Sequence, residues 1–402
     1  MADTAYSTHT RRTVEILLRG HLLPRFLATG RDPQGGFVER FDWHGVPVDP
    51  GFRRVRVAGR QTYVAAHAAI GGMEEARPLA EEGARYLTMA CQREDGLFVS
   101  RLSPDGRVID PEPDLYDNAF ALFGLAWWYR ASGEAAALRS ASSCITGIEQ
   151  KLRSPSGHGF LSRPGQDARH EQNPHMHLFE AALVWAAFTG GAQFGELATR
   201  LFALCRQHLF DEESGTLAEL YDGKWQRIPS PGNAAIEPGH HYEWVWLLHR
   251  YADLTGHGEA RSIAERLYGF AHQWGHDRKS GLVVSAVDPS GAVLADDLRV
   301  WPNLEYLKAR IARREAAEKS NEQASAGEID LVADRVVRYF LDPPSKNATT
   351  PAKGLWIDWL RSDAATLNCD HVPASTLYHI MLAFTELLRH DAGHGPFSGK
   401  PW

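Results

Sequence analysis

The chain of 402 residues is 44% apolar and 23% charged, with a formal net charge of −7. That balance supports a large buried core and excludes a nucleic-acid groove, since no lysine- or arginine-rich run reverses the acidic surplus. No apolar run nears the roughly 18 residues that a membrane span requires, so no membrane partner is expected.

The N-terminal stretch "MADTAYSTHTRRTVEILL" lacks the basic-then-apolar layout of a secretory leader. Cys91, Cys144, Cys205 and Cys369 are scattered, with no C-x-x-C and no framework spacing. Reduced thiols and a cytoplasmic location are therefore expected. Twelve tryptophans and twelve tyrosines are many for this length. Aromatic faces suit sugar rings, although they fill ordinary cores as well.

Along the chain a glycine-centred phrase recurs: "QGGFVERFDWHGVPVD", "EDGLFVSRLSPDGRVID", "SGHGFLSRPGQ", "SGTLAELYDGKWQ", "SGLVVSAVDPSGAVLAD" and "AKGLWIDWL". Its anchors are Gly36, Gly96, Gly159, Gly215, Gly281 and Gly354, at intervals of 56 to 73 residues. Several copies read as a glycine turn within a short hairpin. After each comes a helical stretch that opens on polar or aromatic residues: "AGRQTYVAAHAAI", "DLYDNAFALFGLAWWY", "NPHMHLFEAALVWAAF", "EPGHHYEWVWLLHRYA", "RVWPNLEYLKARIA" and "DHVPASTLYHIMLAF". Pro174, Pro238, Pro302 and Pro373 lie near four of these starts, as helix N-termini favour. A second helix fits before the next hairpin, as in "EARPLAEEGARYLTMACQ". Six such pairs predict an all-α (α/α)6 barrel as one domain over 1–402, with an open solenoid as the competing arrangement. The polar stretch 313–330, "RREAAEKSNEQASAGEID", reads as an exposed helix and loop with solvated charge.

In a closed barrel the inner helices begin at one end, so the six openings converge on one mouth. That mouth gathers Arg60, Tyr116, Asp117, Asn173, His177, Glu180, His240, Glu243, Trp301, Glu305 and His371. Two H-x-x-E pairs, His177/Glu180 and His240/Glu243, put a carboxylate on the same helix face as an imidazole. Such a carboxylate can fix the ring's tautomer, as acid–base catalysis requires, and simple helix capping explains one pair equally well. A helix N-terminus disfavours an imidazolium, which predicts a neutral, basic ring at these openings. "HMH" (175–177) raises the question of a metal, yet residues at i and i+2 of a helix point apart, and H-E-x-x-H is missing. Neither a metal nor another cofactor is expected. P-loop, G-x-G-x-x-G and G-x-S-x-G motifs are also missing from the sequence.

The phrases "GRQTYVAA", "LYDNAFALFGLA", "NPHMHLFEA", "PGHHYEWVWLL", "VWPNLEYLKA" and "HVPASTLYH" closely resemble the N-acylglucosamine 2-epimerase family, in order, from about residue 15 to 390. The resemblance implies the same (α/α)6 barrel and metal-free proton transfer next to the carbonyl of an open-chain sugar. It implies paired catalytic histidines at His240 and His371, with Glu243 as the carboxylate partner of the first. It also implies sugar contacts from Arg60, Tyr116, Asn173 and His177. Glu180, Trp301, Asp117 and Glu305 join them at the mouth, His241 reads as a lining residue and His175 as structural. Where several family members carry adjacent tryptophans, this chain has Val300 and Trp301.

The chemistry needs a neutral base at C2 and donors for the enediolate oxygens. Arg60, always charged, suits the second task. Return of the proton to C1 gives a ketose, and delivery to C2 from the opposite face gives the C2 epimer. The expected activity is aldose–ketose isomerisation of a mannose-type sugar, free or phosphorylated, with 2-epimerisation as the alternative. A glycoside hydrolase would use two carboxylates about 5 to 9.5 Å apart and leave the histidines without work. A non-catalytic sugar-binding protein would not need both histidines. The expected partner is a monosaccharide, bound by a monomer or homodimer.

Overall fold

The computed structural model describes residues 2–165, 169–228, 235–319, 327–343 and 351–398. In chain order its α-helices are α1 (Ala2–Leu17), α2 (Leu23–Thr29), α3 (Val55–Ile70), α4 (Arg77–Arg85), α5 (Leu115–Ser132), α6 (Ala135–Lys151) and α7 (Gln172–Thr189). These are followed by α8 (Ala192–Leu204), α9 (Pro238–Thr255), α10 (Gly258–Trp274), α11 (Val300–Lys319), α12 (Gly327–Val336) and α13 (Leu377–Asp391). Helices α3, α5, α7, α9, α11 and α13 pack each on the next, and α13 returns to α3. That closes the inner ring, so the structure is a barrel rather than an open solenoid. Helices α4, α6, α8, α10 and α12 back α3, α5, α7, α9 and α11, and α1 backs α13.

The two rings differ in sequence for a physical reason. Inner helices touch protein on every side, so α5 buries an almost unbroken run from Leu115 to Trp128. Outer helices bury one stripe, such as Ala137, Ala141, Cys144, Ile145 and Ile148 of α6 at helical spacing. None of the described helices is long and apolar enough to cross a membrane.

The six glycine anchors all adopt positive φ, between 60° and 86°. Gly96 shows a second constraint: a Cβ there would lie 2.4 Å from the Ser143 carbonyl oxygen of α6. The hairpins also link neighbouring units: Arg53–Arg54 pairs with Arg101–Leu102, and His170–Glu171 with Leu220–Tyr221. Arg40–Phe41 pairs with Val372–Pro373, which joins the first unit to the last.

Two expectations change here. Pro373 lies in that strand, and a 3₁₀ turn over Ala374–Thr376 follows it. Helix α13 therefore begins only at Leu377, several residues beyond the opening read from "DHVPAS". The stretch 313–330 begins as the end of inner helix α11, and Glu315 is buried between Arg250 and Arg389 instead of solvated. Residues 320–326 of that stretch lie outside the described residues.

Candidate active site

Inner helices that start in register project equivalent residues in layers. The second residues of α3, α5, α7 and α11 are Arg56, Tyr116, Asn173 and Trp301; in α9 the position is Gly239. One turn deeper, the sixth residues are Arg60, Phe120, His177, Glu243 and Glu305. One further turn down lie Glu180 of α7, Trp246 of α9 and Lys308 of α11. Spacings of four and three residues keep one helix face toward the barrel axis.

The fourth residues do different work. Asn118, His175, His241 and Asn303 each accept from a backbone N–H just beyond a glycine anchor: Phe98, Phe160, Leu217 and Val283, at 2.9, 2.9, 3.2 and 3.0 Å. These side chains fasten the hairpins to the inner helices. His175 is structural, as expected, and His241 belongs with it instead of with the lining.

Around the axis the groups meet in sequence. Arg60 donates to the Tyr116 hydroxyl at 2.7 Å, and its guanidinium lies 4.0 Å from the Phe120 ring centroid. His177 packs on Phe120 and Tyr116 at 4.5 and 5.0 Å. Its Nδ1 is 3.3 Å from Glu180 and 3.8 Å from Glu243. Burial, opposed by Glu180, lowers the His177 pKa to about 4, which keeps the ring neutral. Tyr378 donates to both Glu180 oxygens at 2.6 and 2.5 Å. Burial, then the neighbouring Glu305, hold the Glu243 carboxyl well above the ordinary range. The buried Asn173 Oδ1 has no partner among the described residues and is free to accept from a ligand.

Two histidines pack near Trp301, with ring centroids 5.0 Å (His240) and 5.7 Å (His379) from it. Trp301 reaches over α9 because residue 239 is glycine: a Cβ there would lie 2.7 Å from the indole. His240 Nδ1 is 2.9 Å from Glu219 and 3.6 Å from Glu237. Burial opposes its charge, yet Glu219 and Glu237 outweigh it and raise the His240 pKa to about 10. This corrects the neutral His240 expected from the helix N-terminus: two carboxylates overcome a half-charge dipole. The expected His240/Glu243 pairing is replaced by Glu219, itself held by Gln172 at 2.9 Å, whose own oxygen accepts from Trp244 at 2.7 Å.

His379 Nδ1 lies 2.7 Å from Glu305. Burial, then the cations Arg60 and Lys308, hold its pKa well below the ordinary value, so the ring is neutral. The late start of α13 puts His379, not His371, in the first turn at the axis. His371 has a 36% exposed side chain and, among the described residues, bonds only Asp370 at 2.6 Å. Asp117 is engaged within the protein. Its two oxygens accept Arg56 Nε at 2.7 Å and Nη2 at 2.9 Å, which ties α3 to α5. His379 and Tyr378 were present in the phrase "HVPASTLYH", but only the helix start distinguishes them from His371. Glu219 sits on a hairpin, where helical spacing carries no signal.

Among the described residues, three groups bring metal-type donors within 4.8 Å: His177/Glu180/Glu243, Glu219/Glu237/His240 and Glu243/Glu305/His379. Each already has internal partners, namely Tyr378, the charged His240 ring and the Lys308 ammonium. The arrangement joins a neutral imidazole, an imidazolium and an arginine without a carboxylate, as proton transfer beside a carbonyl requires.

Residues 35–383 match the family model described as N-acylglucosamine 2-epimerase (GlcNAc 2-epimerase). The chain is 33% identical over 374 residues to a mannose-6-phosphate isomerase of Rhizobium meliloti (strain 1021), covering 91% of this chain and 93% of that protein. A cellobiose 2-epimerase of Bacteroides fragilis is 27% identical over 221 residues, 51% of this chain and 54% of the other. A crystal structure of D-mannose isomerase superposes with a TM-score of 0.82 at 22% identity, covering 94% of this chain and 98% of its own.

Proposed function

Since the chain belongs to the N-acylglucosamine 2-epimerase family, and is a sugar isomerase or epimerase, we propose that it converts a mannose-type aldose into the corresponding ketose. His379 takes the C2 proton of the open-chain sugar while the C1 carbonyl becomes an enediolate. The His240 imidazolium supplies a proton to O1, and Arg60 stabilises the negative charge as it develops. His379 then returns its proton to C1, His240 recovers one from the O2 hydroxyl, and C2 becomes the carbonyl. Tyr116, Asn173, His177 and Trp301 hold the sugar.

The observation that carries this reading is the unequal setting of the two histidines: His240 Nδ1 faces Glu219 and Glu237, which favour its charge, while His379 Nδ1 meets a Glu305 that Lys308 already pairs. An isomerase of this kind ends each turnover with both rings in their starting states. A two-base epimerase ends with the proton exchanged between them, which so unequal a pair opposes. The name of the relative that spans nearly the whole chain supports a mannose-type substrate and makes mannose 6-phosphate the first to test.

The test is NMR in D₂O with mannose, mannose 6-phosphate, glucose and N-acetylglucosamine in separate tubes. Ketose from mannose or its 6-phosphate is expected. A C2 epimer formed without ketose would mean 2-epimerisation, and no turnover of any sugar would reject the reading.

A further inference from the structure

Lys308, in the layer below Glu305, takes no part in the proton transfers above. It is fully buried, with Nζ 2.7 Å from Glu305 Oε2 and 4.2 Å from the Trp246 ring centroid. Glu305 is thereby a bridge: Oε2 meets Lys308, and Oε1 meets His379 Nδ1 at 2.7 Å. Facing this bridge are Glu243 and His240 of α9, Glu180 and His177 of α7, Tyr378 of α13 and Arg60 of α3. Glu180 is satisfied by Tyr378.

The protonation state of Glu305 decides which nitrogen of His379 is basic. An ionised Glu305 can only accept, so Nδ1 carries the hydrogen and Nε2 keeps its lone pair. A protonated Glu305 donates to Nδ1, moves the hydrogen to Nε2 and removes the base. Burial drives the Glu305 carboxyl upward, and Lys308 is the largest influence opposing it. Burial in turn acts against the ammonium, but Glu305, Glu243 and Glu180 together raise its pKa.

We propose that Lys308 is a positioning residue of the proton-transfer site: its ammonium keeps Glu305 ionised, and Glu305 keeps His379 in the tautomer whose Nε2 takes the proton. The inference rests on His379 being the base. A buried lysine costs free energy unless paired, and a leucine or methionine would fill the same space at no such cost. The charge is explained by what it does to Glu305.

The experiment is ¹⁵N NMR of the histidine side chains in the full-length protein, with Lys308→Met and Lys308→Gln beside the wild type. His379 is expected as the Nδ1–H tautomer in the wild type and as Nε2–H in both variants. In kinetics, kcat should fall by roughly 10²-fold, the low end of what a positioned base contributes, with KM changed little. It should recover as pH rises and Glu305 ionises, a response that lost packing would not give. An Nε2–H tautomer in the wild type, which needs no variant, overturns the proposal. So does an unchanged tautomer in either variant, or a pH profile parallel to wild type. The spectra read the tautomer whether or not any sugar turns over, so failure of the isomerase reading would be seen separately.

Discussion

His240 Nδ1 lies 2.9 Å from a Glu219 oxygen, and this contact makes the two histidines at Trp301 chemically unequal. The His240 pKa is raised in the folded protein to about 10 from its ordinary 6.5, and that of Glu219 is lowered, by His240 acting against burial. The contribution of His240 to stability is therefore fully present below about pH 6.5 and is lost as pH rises through 10, whereas that of Glu219 is present above its ordinary 4.5 and is lost as pH falls below it.

Glu219→Gln removes the carboxylate that charges His240. Wild type should lose unfolding free energy between pH 7 and pH 10, and the variant should lose less over that interval, measured by urea titration at each pH. The alkaline limb of kcat should move to lower pH, because the acid now gives up its proton sooner. Identical stability slopes and identical alkaline limbs would remove Glu219 from this role.

Alanine at His240 or His379 should each lower turnover by roughly 10²- to 10⁴-fold, the usual worth of a positioned acid–base group. His371→Ala should stay within about threefold of wild type, since that ring is partly exposed and, among the described residues, bonds only Asp370. The comparison is decisive because the two candidates are close in sequence: loss on His371→Ala with retention on His379→Ala would reverse the assignment.

The barrel was legible because its repeat is physical. Six turns need a positive φ, so glycine recurs, and helices buried on all sides read differently from striped ones. Arg60, His177, Glu243 and Glu305 could be found because helical spacing carries them to one face. The structure departs from the sequence reading where chain direction is set by pairing. Strand pairing of Arg40 with Pro373 delays α13, so that His379 and not His371 lies in its first turn. Glu219 comes from a hairpin, and its contact with His240 exists only because the hairpin between α8 and α9 folds back on the helix start. Asp117 has the residue type and the register of a ligand, yet Arg56 consumes it.

Asp117→Asn should accordingly act on stability. The carboxylate is fully buried, and removing it leaves Arg56 without its bidentate partner. Loss of one member of such a pair costs about 3 kcal/mol. A lower Tm is expected, with kcat and KM of the folded fraction within about threefold of wild type. A large rise in KM at unchanged Tm would return Asp117 to the sugar site.

Arg60 presents the opposite case. Its side chain is buried and, among the described residues, has no carboxylate within ion-pair distance; its Nε makes no hydrogen bond. The rings of Phe120, Tyr378 and Tyr116 surround it at 4.0, 5.2 and 5.6 Å. Such rings return on the order of 1 to 2 kcal/mol each at best, against a desolvation cost of several. An uncompensated cation here gains nothing in folding, which supports the proposal that Arg60 serves an anion formed during reaction. Arg60→Met keeps the packing against Phe120 and discards the charge. Its Tm should equal or exceed that of wild type, while kcat falls by on the order of 10²- to 10³-fold, as for loss of an oxyanion donor. KM should change far less than kcat, because an interaction made mainly in the transition state leaves ground-state binding nearly intact. A Tm lowered by many degrees with kcat preserved would show that the guanidinium serves the fold and that the oxyanion is met elsewhere.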